Sequence, residues 1–466
     1  MEQAVLAKLS AILPQISSVP GLGKIPVEAV IAAHQHQAIT SIRWNPNKTI
    51  NNKPGLEPVP WNQYGVYLKE RPVFTLDPLF HAGAYYVQEA SSMFVEYAFK
   101  NTVQHGESPL RVLDLCAAPG GKSTLLGSLL QDEDLLISNE VIQTRASILA
   151  ENLTRWGQMN TWVTNNDPKD FAKLPGYFDV MLIDAPCTGS GLWRKDADAL
   201  DEWSVDHVKL CSERQKRILA DALPALKQDG VLLYATCSYS AEENEMVCDW
   251  ICENMGMESL KIPVDATWNI TETISEKHGA AGYRFYPWQL NGEGFFLAAF
   301  RKKDVNEEAD EPSRKQKKQQ QKTSNTKPKD ETARWKPWLK NDFALIEKNE
   351  EWYGIHAAHK KDYELLQPLL RIKKTGTALG KFAGKDVIPD HELALSIHLS
   401  EDVKRVEAGK EEALLFMKKE EVLKDNPVKG WQLLCYEGLG LGWGKWLPNR
   451  MNNYFPKNWR IRMEVK

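Results

Sequence analysis

Two cysteines lie where the sequence predicts the ends of neighbouring strands of one sheet. Cys187 closes the motif Asp-Ala-Pro-Cys, which starts at Asp184 and follows the apolar run 180–183. Cys237 stands in the tripeptide Thr-Cys-Ser, directly after the apolar run 231–235. The carboxyl ends of parallel strands meet at the edge where open α/β sheets bind ligands, and a thiolate there can add covalently to a substrate. A single cysteine is more often a small core residue, whereas this pair beside a carboxylate favours catalysis.

A glycine-rich loop follows the first predicted strand of the same sheet. It consists of Cys116, Ala117, Ala118, Pro119, Gly120, Gly121 and Lys122, and a helix is predicted directly after it. Glycines allow close approach to a ligand, and the free N–H groups of a helix N-terminus can bind an anionic group such as a carboxylate. A phosphate-binding P-loop needs a glycine five positions before the Gly-Lys pair, and this chain has Cys116 there. The spacing therefore disfavours an ATPase.

Two acidic residues at the same edge favour a cofactor that contains adenosine. Glu140 follows the second predicted strand, where a carboxylate can accept hydrogen bonds from ribose hydroxyls, and Asp167 follows the third, where it can contact adenine. The alternative for each acid is a helix N-cap. Together with the two thiols, the pair predicts methyl transfer to a carbon atom that needs covalent activation.

The elements that must position these residues alternate between strand and helix. The predicted strands are 112–116, 135–138, 161–164, 180–183 and 231–235, and the predicted helices lie near 122–130, 141–156 and 203–227. This alternation predicts an α/β fold whose parallel sheet is covered on both faces. The stretches 283–288 and 295–301 predict an antiparallel pair that closes the sheet.

A further helix is predicted immediately after Cys237. Ser240 and Glu243 have the spacing of a capping box, in which each side chain bonds to a backbone N–H group of the first turn. The positive end of such a helix would stabilise a nearby thiolate.

Length and composition predict a multidomain globular protein of a reducing compartment. The chain has 466 residues, of which 42% are hydrophobic and 26% charged, so we expect two to four domains. The seven cysteines form no disulfide framework, and Cys248 and Cys252 lack the second ligand pair of a zinc site. The N-terminus is a poor signal peptide, and no apolar run is long enough to span a membrane. We therefore expect a cytoplasmic protein that needs no metal.

The motifs around Cys187 and Cys237 resemble those of the RNA cytosine-C5 methyltransferases of the NOL1/NOP2/Sun family, and the resemblance covers residues 24–302. The segment that ends in 440–451 is similar to the C-terminal part of the bacterial RsmF type, which modifies 16S ribosomal RNA. The resemblance implies a Rossmann-like class I methyltransferase sheet and S-adenosylmethionine as the methyl donor.

The resemblance also implies roles for individual residues. Residues 116–122 would hold the methionine part of the cofactor, Glu140 the ribose and Asp167 the adenine. Asp184, implied as both a catalytic and a cofactor-binding residue, would lie between the cofactor and the target base. Cys237 matches the nucleophile of the family, and Cys187 matches the cysteine that assists product release.

Several alternatives remain open at this point. DNA cytosine methyltransferases use the cysteine of a Pro-Cys pair as nucleophile, which would assign the attack to Cys187, but the tripeptide around Cys237 favours the RNA enzymes. A tRNA cytosine-C5 methyltransferase would keep the same motifs and differ in its appended domains. A non-catalytic ribosome-assembly factor would bind RNA with little need for both cysteines.

Composition and resemblance together divide the chain into five segments. These are an N-terminal α/β RNA-binding region at 1–105, the methyltransferase domain at 106–302, a flexible linker at 303–334, a first C-terminal subdomain at 335–400 and a PUA-like RNA-binding subdomain at 401–466. The linker is charged and rich in glutamine, which is typical of unfolded tethers.

The expected partner is RNA, either 16S ribosomal RNA or the small ribosomal subunit, with no membrane and no obligate protein partner. The formal net charge of −4 confines RNA contact to local basic patches. One such patch is 443–466, where basic and aromatic residues alternate, although its aromatics could instead form a core. The N-terminal residues expected to help hold RNA are Arg43, Asn45, Trp61 and Gln88.

Overall fold

The computed structural model describes residues 3–16, 24–50, 55–303, 329–340, 342–420 and 428–463. The first part of the chain comprises α1 Gln3–Ile12, α2 Val27–His34, β1 Thr40–Trp44, β2 Gly65–Leu68, α3 Pro78–His81, β3 Tyr85–Val87 and α4 Phe94–Thr102. β1 lies between β2 and β3 in a small antiparallel sheet. Within the described ranges, no helix is long and apolar enough to cross a membrane.

The middle of the chain forms the central sheet and the helices that cover it. Its elements are β4 Arg111–Asp114, α5 Gly121–Gly127, β5 Leu135–Asn139, α6 Gln143–Trp156, β6 Thr161–Thr164, β7 Phe178–Asp184, α7 Ala197–Glu202, α8 Val205–Ala222, β8 Leu226–Thr236, α9 Glu245–Met255, β9 Met257–Leu260, β10 Thr271–Ile274, β11 Ala281–Phe285 and β12 Phe295–Lys302. The strand order is β10-β11-β12-β8-β7-β4-β5-β6, and β9 pairs with β12. β4 to β8 run parallel to one another, and β12 closes the array antiparallel to β8.

This architecture confirms the predicted α/β fold. β5 and β6 are buried along their whole length, as expected of strands covered on both faces. The predicted antiparallel pair is present, because β11 pairs with β12. The predicted helix 203–227 is shorter, because Pro224 follows in a 3₁₀ turn and a proline cannot continue the hydrogen-bond ladder.

The N-terminal residues expected to hold RNA instead hold the protein together. Arg43, Asn45, Trp61 and Gln88 are all buried. The guanidinium of Arg43 donates to Gln88 Oε1 at 2.8 Å and to Thr124 Oγ1 at 2.7 Å, which fixes the N-terminal sheet against α5. Asn45 and Trp61 donate to backbone carbonyl groups. The prediction of direct RNA contact is wrong for these four, because their polar atoms already have partners within the protein.

The C-terminal part contains two four-stranded sheets. Its elements are α10 Lys329–Trp335, β13 Phe343–Lys348, β14 Glu351–His356, α11 Lys360–Leu366, β15 Ile372–Lys374, β16 Thr377–Ala383, β17 Asp386–Pro389, α12 His391–Leu395, β18 Arg405–Glu407, α13 Lys410–Lys418, β19 Gly430–Tyr436, β20 Leu439–Leu447 and β21 Arg450–Asn453. The sheets have the orders β13-β14-β16-β17 and β18-β19-β20-β21. Most of the predicted linker lies outside the described residues.

The C-terminal part also completes the central sheet. β15 pairs antiparallel with β6 and is the tenth strand. The Asn165 N–H group donates to the Arg371 carbonyl at 3.0 Å, so the loop after β6 is held by residues from the C-terminal part. Arg111 adds an ion pair with Asp362 at 2.8 Å. The predicted first C-terminal subdomain is thus joined to the methyltransferase sheet by strand pairing as well as by side chains.

Candidate active site

The two predicted cysteines meet at the carboxyl edge of the central sheet. β7 and β8 are parallel neighbours, and the loops that follow them carry Cys187 and Cys237. Their sulfur atoms lie 3.1 Å apart in a thiol hydrogen bond, and both cysteines are free. The bond to Cys237, together with burial, raises the pKa of Cys187 well above its usual value. The Cys187 thiol is therefore protonated, and either sulfur atom can donate the hydrogen bond.

Backbone contacts fix the two cysteine loops to each other. The Gly191 N–H group donates to the Cys237 carbonyl at 2.8 Å, and the Tyr239 N–H group donates to Ser190 Oγ at 2.7 Å. Gly191 also lies so close to Gly294 that an added Cβ would be 2.4 Å from the Gly294 carbonyl oxygen. A side chain at Gly191 would therefore displace the loop that carries Cys187.

The expected capping box after Cys237 is absent. Ser240 Oγ has no hydrogen-bond partner among the described residues, and α9 begins only at Glu245. The Glu243 carboxylate turns away from the helix and bonds to Thr188 and Ser238. The prediction is wrong because a buried carboxylate bonded to two neighbouring loops leaves no side chain for the local cap.

The glycine loop turns sharply into the start of α5. Gly120 has a φ of +113°, a conformation that favours glycine, and it directly precedes α5. The carbonyls of Ala118 and Pro119 accept hydrogen bonds from the side chains of Arg145 and Asn152, both on α6. These contacts hold the loop from outside and leave the N–H groups of the first helical turn for a ligand.

Lys122 and Asp184 form an ion pair across the site. Lys122 Nζ lies 2.7 Å from Asp184 Oδ2, and both side chains are largely buried. Burial alone would lower the pKa of Lys122, but the charge of Asp184 raises it above its usual value. Lys122 is therefore firmly cationic, and it joins the glycine loop to the Asp-Ala-Pro-Cys motif.

Asp114, which sequence reasoning did not select, lies directly beneath the loop. Its side chain is fully buried, and Ser123 Oγ donates to Oδ2 at 2.6 Å. Within the described part of the chain, Oδ1 has no hydrogen-bond partner. Burial raises the pKa of Asp114 to about 7. An acid inside an otherwise apolar strand, directly before a glycine loop, was the available signal.

Cys116, at the entrance of the loop, is a thiol rather than a thiolate. Burial is the main cause that raises its pKa, and the charges of Asp114 and Asp184 act in the same direction.

The two predicted adenosine contacts have different surroundings. Glu140 is buried at the end of β5, accepts the Ile142 N–H group at 2.9 Å and lies 3.3 Å from Arg145. Asp167 is exposed and accepts the Lys169 N–H group at 3.2 Å, so it does cap the 3₁₀ turn after β6. Capping was the alternative to adenine contact for Asp167. The cap uses one carboxylate oxygen, so the other can still bind a ligand.

Two exposed apolar side chains, Val141 and Ile142, stand beside Glu140. Large aliphatic groups at the rim of a ligand cavity can cover the face of a planar ring. Sequence reasoning missed them because apolar residues before a helix read as ordinary core. Among the described residues, no group of three His, Cys, Asp or Glu side chains could hold a metal ion.

Comparisons with known proteins give three family matches. Residues 102–301 match the family described as 16S rRNA methyltransferase RsmB/F. Residues 17–90 match the N-terminal domain of 16S rRNA methyltransferase RsmF, and residues 403–461 match the methyltransferase RsmF PUA domain.

Whole-chain relatives agree with these families. The chain is 32% identical to the ribosomal RNA small subunit methyltransferase F of Vibrio campbellii, covering 98% of this chain and 96% of the relative. It is 31% identical to the protein of the same name from Aeromonas hydrophila, covering 86% and 85%. A methyltransferase homolog of Pyrococcus horikoshii of known structure is 28% identical, with a TM-score of 0.53, over 65% of this chain and 100% of that one.

Proposed function

The chain belongs to the ribosomal RNA small subunit methyltransferase F family and is an rRNA methyltransferase, and from this premise we propose that it methylates C5 of cytidine in 16S ribosomal RNA. The observation that carries the proposal is the contact of 3.1 Å between the sulfur atoms of Cys187 and Cys237, beside the ion pair of Lys122 and Asp184. Methyl transfer to nitrogen or oxygen needs no covalent help from a thiol, whereas C5 of cytosine is a poor nucleophile. A pair of thiols therefore favours C5 as the atom that is methylated.

Cys237 is the proposed nucleophile. Addition of its sulfur to C6 breaks the aromatic conjugation of the ring and makes C5 enamine-like. The Cys187 thiol lies 3.1 Å from this sulfur, within reach to donate a hydrogen bond to it as it attacks C6. Asp184, oriented by Lys122, accepts a hydrogen bond from the N4 amino group and holds the base in place.

Cys187 is the proposed base for the last step. After C5 has gained its methyl group, its proton must leave so that the bond between Cys237 and C6 can break. The bond to Cys237 is the largest cause of the raised pKa of Cys187. Once Cys237 is a thioether it carries no negative charge, so it no longer opposes ionisation of Cys187, and burial and the charge of Glu243 are the causes that remain. Cys187, after losing its own proton to solvent, can then accept the C5 proton directly or through a water that it orients.

The residues around the glycine loop fit S-adenosylmethionine, which when bound supplies an electrophilic methyl group on its sulfonium. The N–H groups that follow Gly120 suit the donor's carboxylate, and Asp114 Oδ1, buried without a partner among the described residues, suits its ammonium group. Glu140 and Asp167 suit the ribose and the adenine, and Ile142 suits a face of the adenine ring.

In the C-terminal module, fewer residues are exposed for RNA contact than the basic and aromatic pattern of 443–466 predicts. Trp443, Trp446 and Phe455 belong to the core of the module. The exposed basic and aromatic residues are Tyr454, Arg450, Lys457, Arg460 and Arg462, which suit phosphates and an unpaired base. Because C5 is inaccessible in a stacked helix, the target cytidine must lie in a loop or be flipped out.

The test is incubation with labelled S-adenosylmethionine and three separate substrates: unmodified 16S ribosomal RNA, assembled small subunits and unmodified tRNA. We expect label at cytidine C5 in 16S ribosomal RNA, free or assembled, and none in tRNA. Digestion of the product to nucleosides and mass spectrometry locate the methyl group. Label in tRNA alone, or on a nitrogen or oxygen atom, would overturn the proposal.

A further inference from the structure

One buried carboxylate contacts the residues that follow both cysteines. Glu243 accepts hydrogen bonds from the Thr188 N–H group at 2.9 Å and from Thr188 Oγ1 at 2.5 Å. It also accepts one from Ser238 Oγ at 2.5 Å. Thr188 directly follows Cys187, and Ser238 directly follows Cys237.

Both oxygen atoms of the Glu243 carboxylate accept hydrogen bonds. Oε1 accepts from the Thr188 backbone and, at 3.3 Å, from the Gln215 side chain, while Oε2 accepts from the hydroxyl groups of Thr188 and Ser238. Only an ionised carboxylate offers acceptors on both sides and no donor. The amide of a glutamine would turn an NH₂ group towards at least one of these donors.

The position of Glu243 excludes direct contact with a substrate. The side chain is fully buried, as are Thr188, Ser238 and Gln215, which surround it. Tyr234, also buried, donates its hydroxyl to the Glu243 carbonyl at 2.6 Å and so fixes the backbone of the same residue.

We infer that Glu243 is a positioning residue that sets the spacing of the Cys187 and Cys237 thiols by bonding to both of their loops. This inference rests on the proposed function, in which both thiols act on one base. Hydrogen bonds to an ionised group in a buried site are strong and directional, so the loops are held within the small tolerance that covalent catalysis requires.

Asp249 offers a matched control on α9. It is buried and likewise accepts three hydrogen bonds, from Ser275 Oγ, the Lys277 N–H group and the His278 N–H group, but it contacts neither cysteine loop. Glu243→Gln and Asp249→Asn therefore remove comparable buried carboxylates. Only the first removes a bond between the two loops.

The first measurement needs neither RNA nor cofactor. Diamide oxidises two adjacent thiols to a disulfide, and its azo group takes up both protons and both electrons. Peptide mass spectrometry of the full chain gives the rate of disulfide formation between Cys187 and Cys237. We expect this rate to fall about 10-fold or more in Glu243→Gln, because small displacements of paired groups strongly reduce their effective concentration. In Asp249→Asn we expect the wild-type rate.

The second measurement is methylation of 16S ribosomal RNA. We expect kcat to fall about 100-fold in Glu243→Gln with KM for RNA nearly unchanged, since a misplacement of about 1 Å costs rate rather than binding. Thr188→Val keeps shape, removes one of the three short contacts and should give an intermediate loss in both measurements. If Glu243→Gln does not fold, Thr188→Val tests the positioning role of Glu243 in its place.

The outcomes separate this inference from the proposed function. Wild-type rates of disulfide formation and of turnover in Glu243→Gln, or in Thr188→Val if the first variant does not fold, would overturn the role of Glu243. Full turnover in Cys237→Ala would overturn the proposed function instead, whatever the disulfide rates of the Glu243 variants.

Discussion

The ammonium group of Lys122 lies 2.7 Å from the carboxylate of Asp184, so the first turn of the helix after the glycine loop is tied to the end of β7. The proposed cofactor site and the proposed site of the target cytosine thus share one ion pair. Replacing either residue of the pair should therefore disturb the position of the other.

Lys122→Met should reduce turnover far more than it reduces RNA binding. Loss of the ammonium group leaves the Asp184 carboxylate largely buried without its partner, which costs about 2–5 kcal/mol for a buried hydrogen-bonded pair and less here because both side chains keep some exposure. We expect kcat to fall about 100-fold, since the carboxylate loses its fixed orientation. Lys216→Met, which removes a pair with the exposed Glu213, is the control and should leave kcat unchanged. Equal losses in both variants would contradict the role of Lys122.

The two thiols should fail in different ways. Cys237→Ala should abolish both turnover and the covalent protein–RNA adduct, because it removes the sulfur that adds to C6. Cys187→Ala should stop turnover but leave a trapped adduct, because the C5 proton is no longer removed. Denaturing gels with labelled RNA separate the two results. Cys435→Ala, in a strand of the C-terminal module, is the control. An adduct lost only in the Cys187 variant would reverse the two roles.

The sequence predicted those parts of the site that follow from strand order and chain polarity. Parallel strands that end in Asp184 and Thr236 must deliver the next residues to one edge, so the meeting of Cys187 and Cys237 was predictable. The ion pair of Lys122 with Asp184 depends on side-chain directions across a loop, which periodicity does not report. Glu243 shows the limit most clearly, because its local spacing indicates a cap while its partner Thr188 lies 55 positions away.

The overall fold likewise has parts that the sequence predicts and parts that it does not. Alternating apolar runs predicted the order of strands and helices in the middle of the chain, because each run reflects its own burial. The pairing of β15 with β6 was beyond reach, since a strand of three residues far along the chain carries almost no periodic signal. Arg43 was misassigned for a related reason: its charge suggested RNA, but its partners Gln88 and Thr124 come from other elements.

The exposed basic residues of the C-terminal module should set the salt dependence of RNA binding. Replacing Lys457 and Arg462 by alanine should lower affinity similarly for all RNA sequences and reduce the slope of log K against log salt by about 1.4, or about 0.7 per phosphate contact on a single strand. Filter binding at several salt concentrations measures the slope. Lys261→Ala, at another exposed position, should leave it unchanged. An unchanged slope in the double variant would exclude this face from the RNA interface.

Asp114 should make the stability of the cofactor-free protein fall as pH rises. Burial raises its pKa from 3.8 to about 7, so between these values the folded carboxyl keeps its proton while the unfolded one ionises. Ionisation in the unfolded chain alone favours unfolding, and the full penalty is reached above about pH 7. A difference of this size corresponds to roughly 4 kcal/mol at most.

Asp114→Asn isolates this contribution. The amide oxygen can still accept the Ser123 hydroxyl, but the group no longer titrates. Urea unfolding of both proteins from pH 4 to pH 8 should show the variant gaining on the wild type as pH rises, by up to about 4 kcal/mol at pH 8. The same variant should bind S-adenosylmethionine more weakly above pH 7, because it cannot supply the charge that suits the ammonium group. A wild type that gains stability over the variant as pH rises would show that the buried carboxyl has a cationic partner even without cofactor.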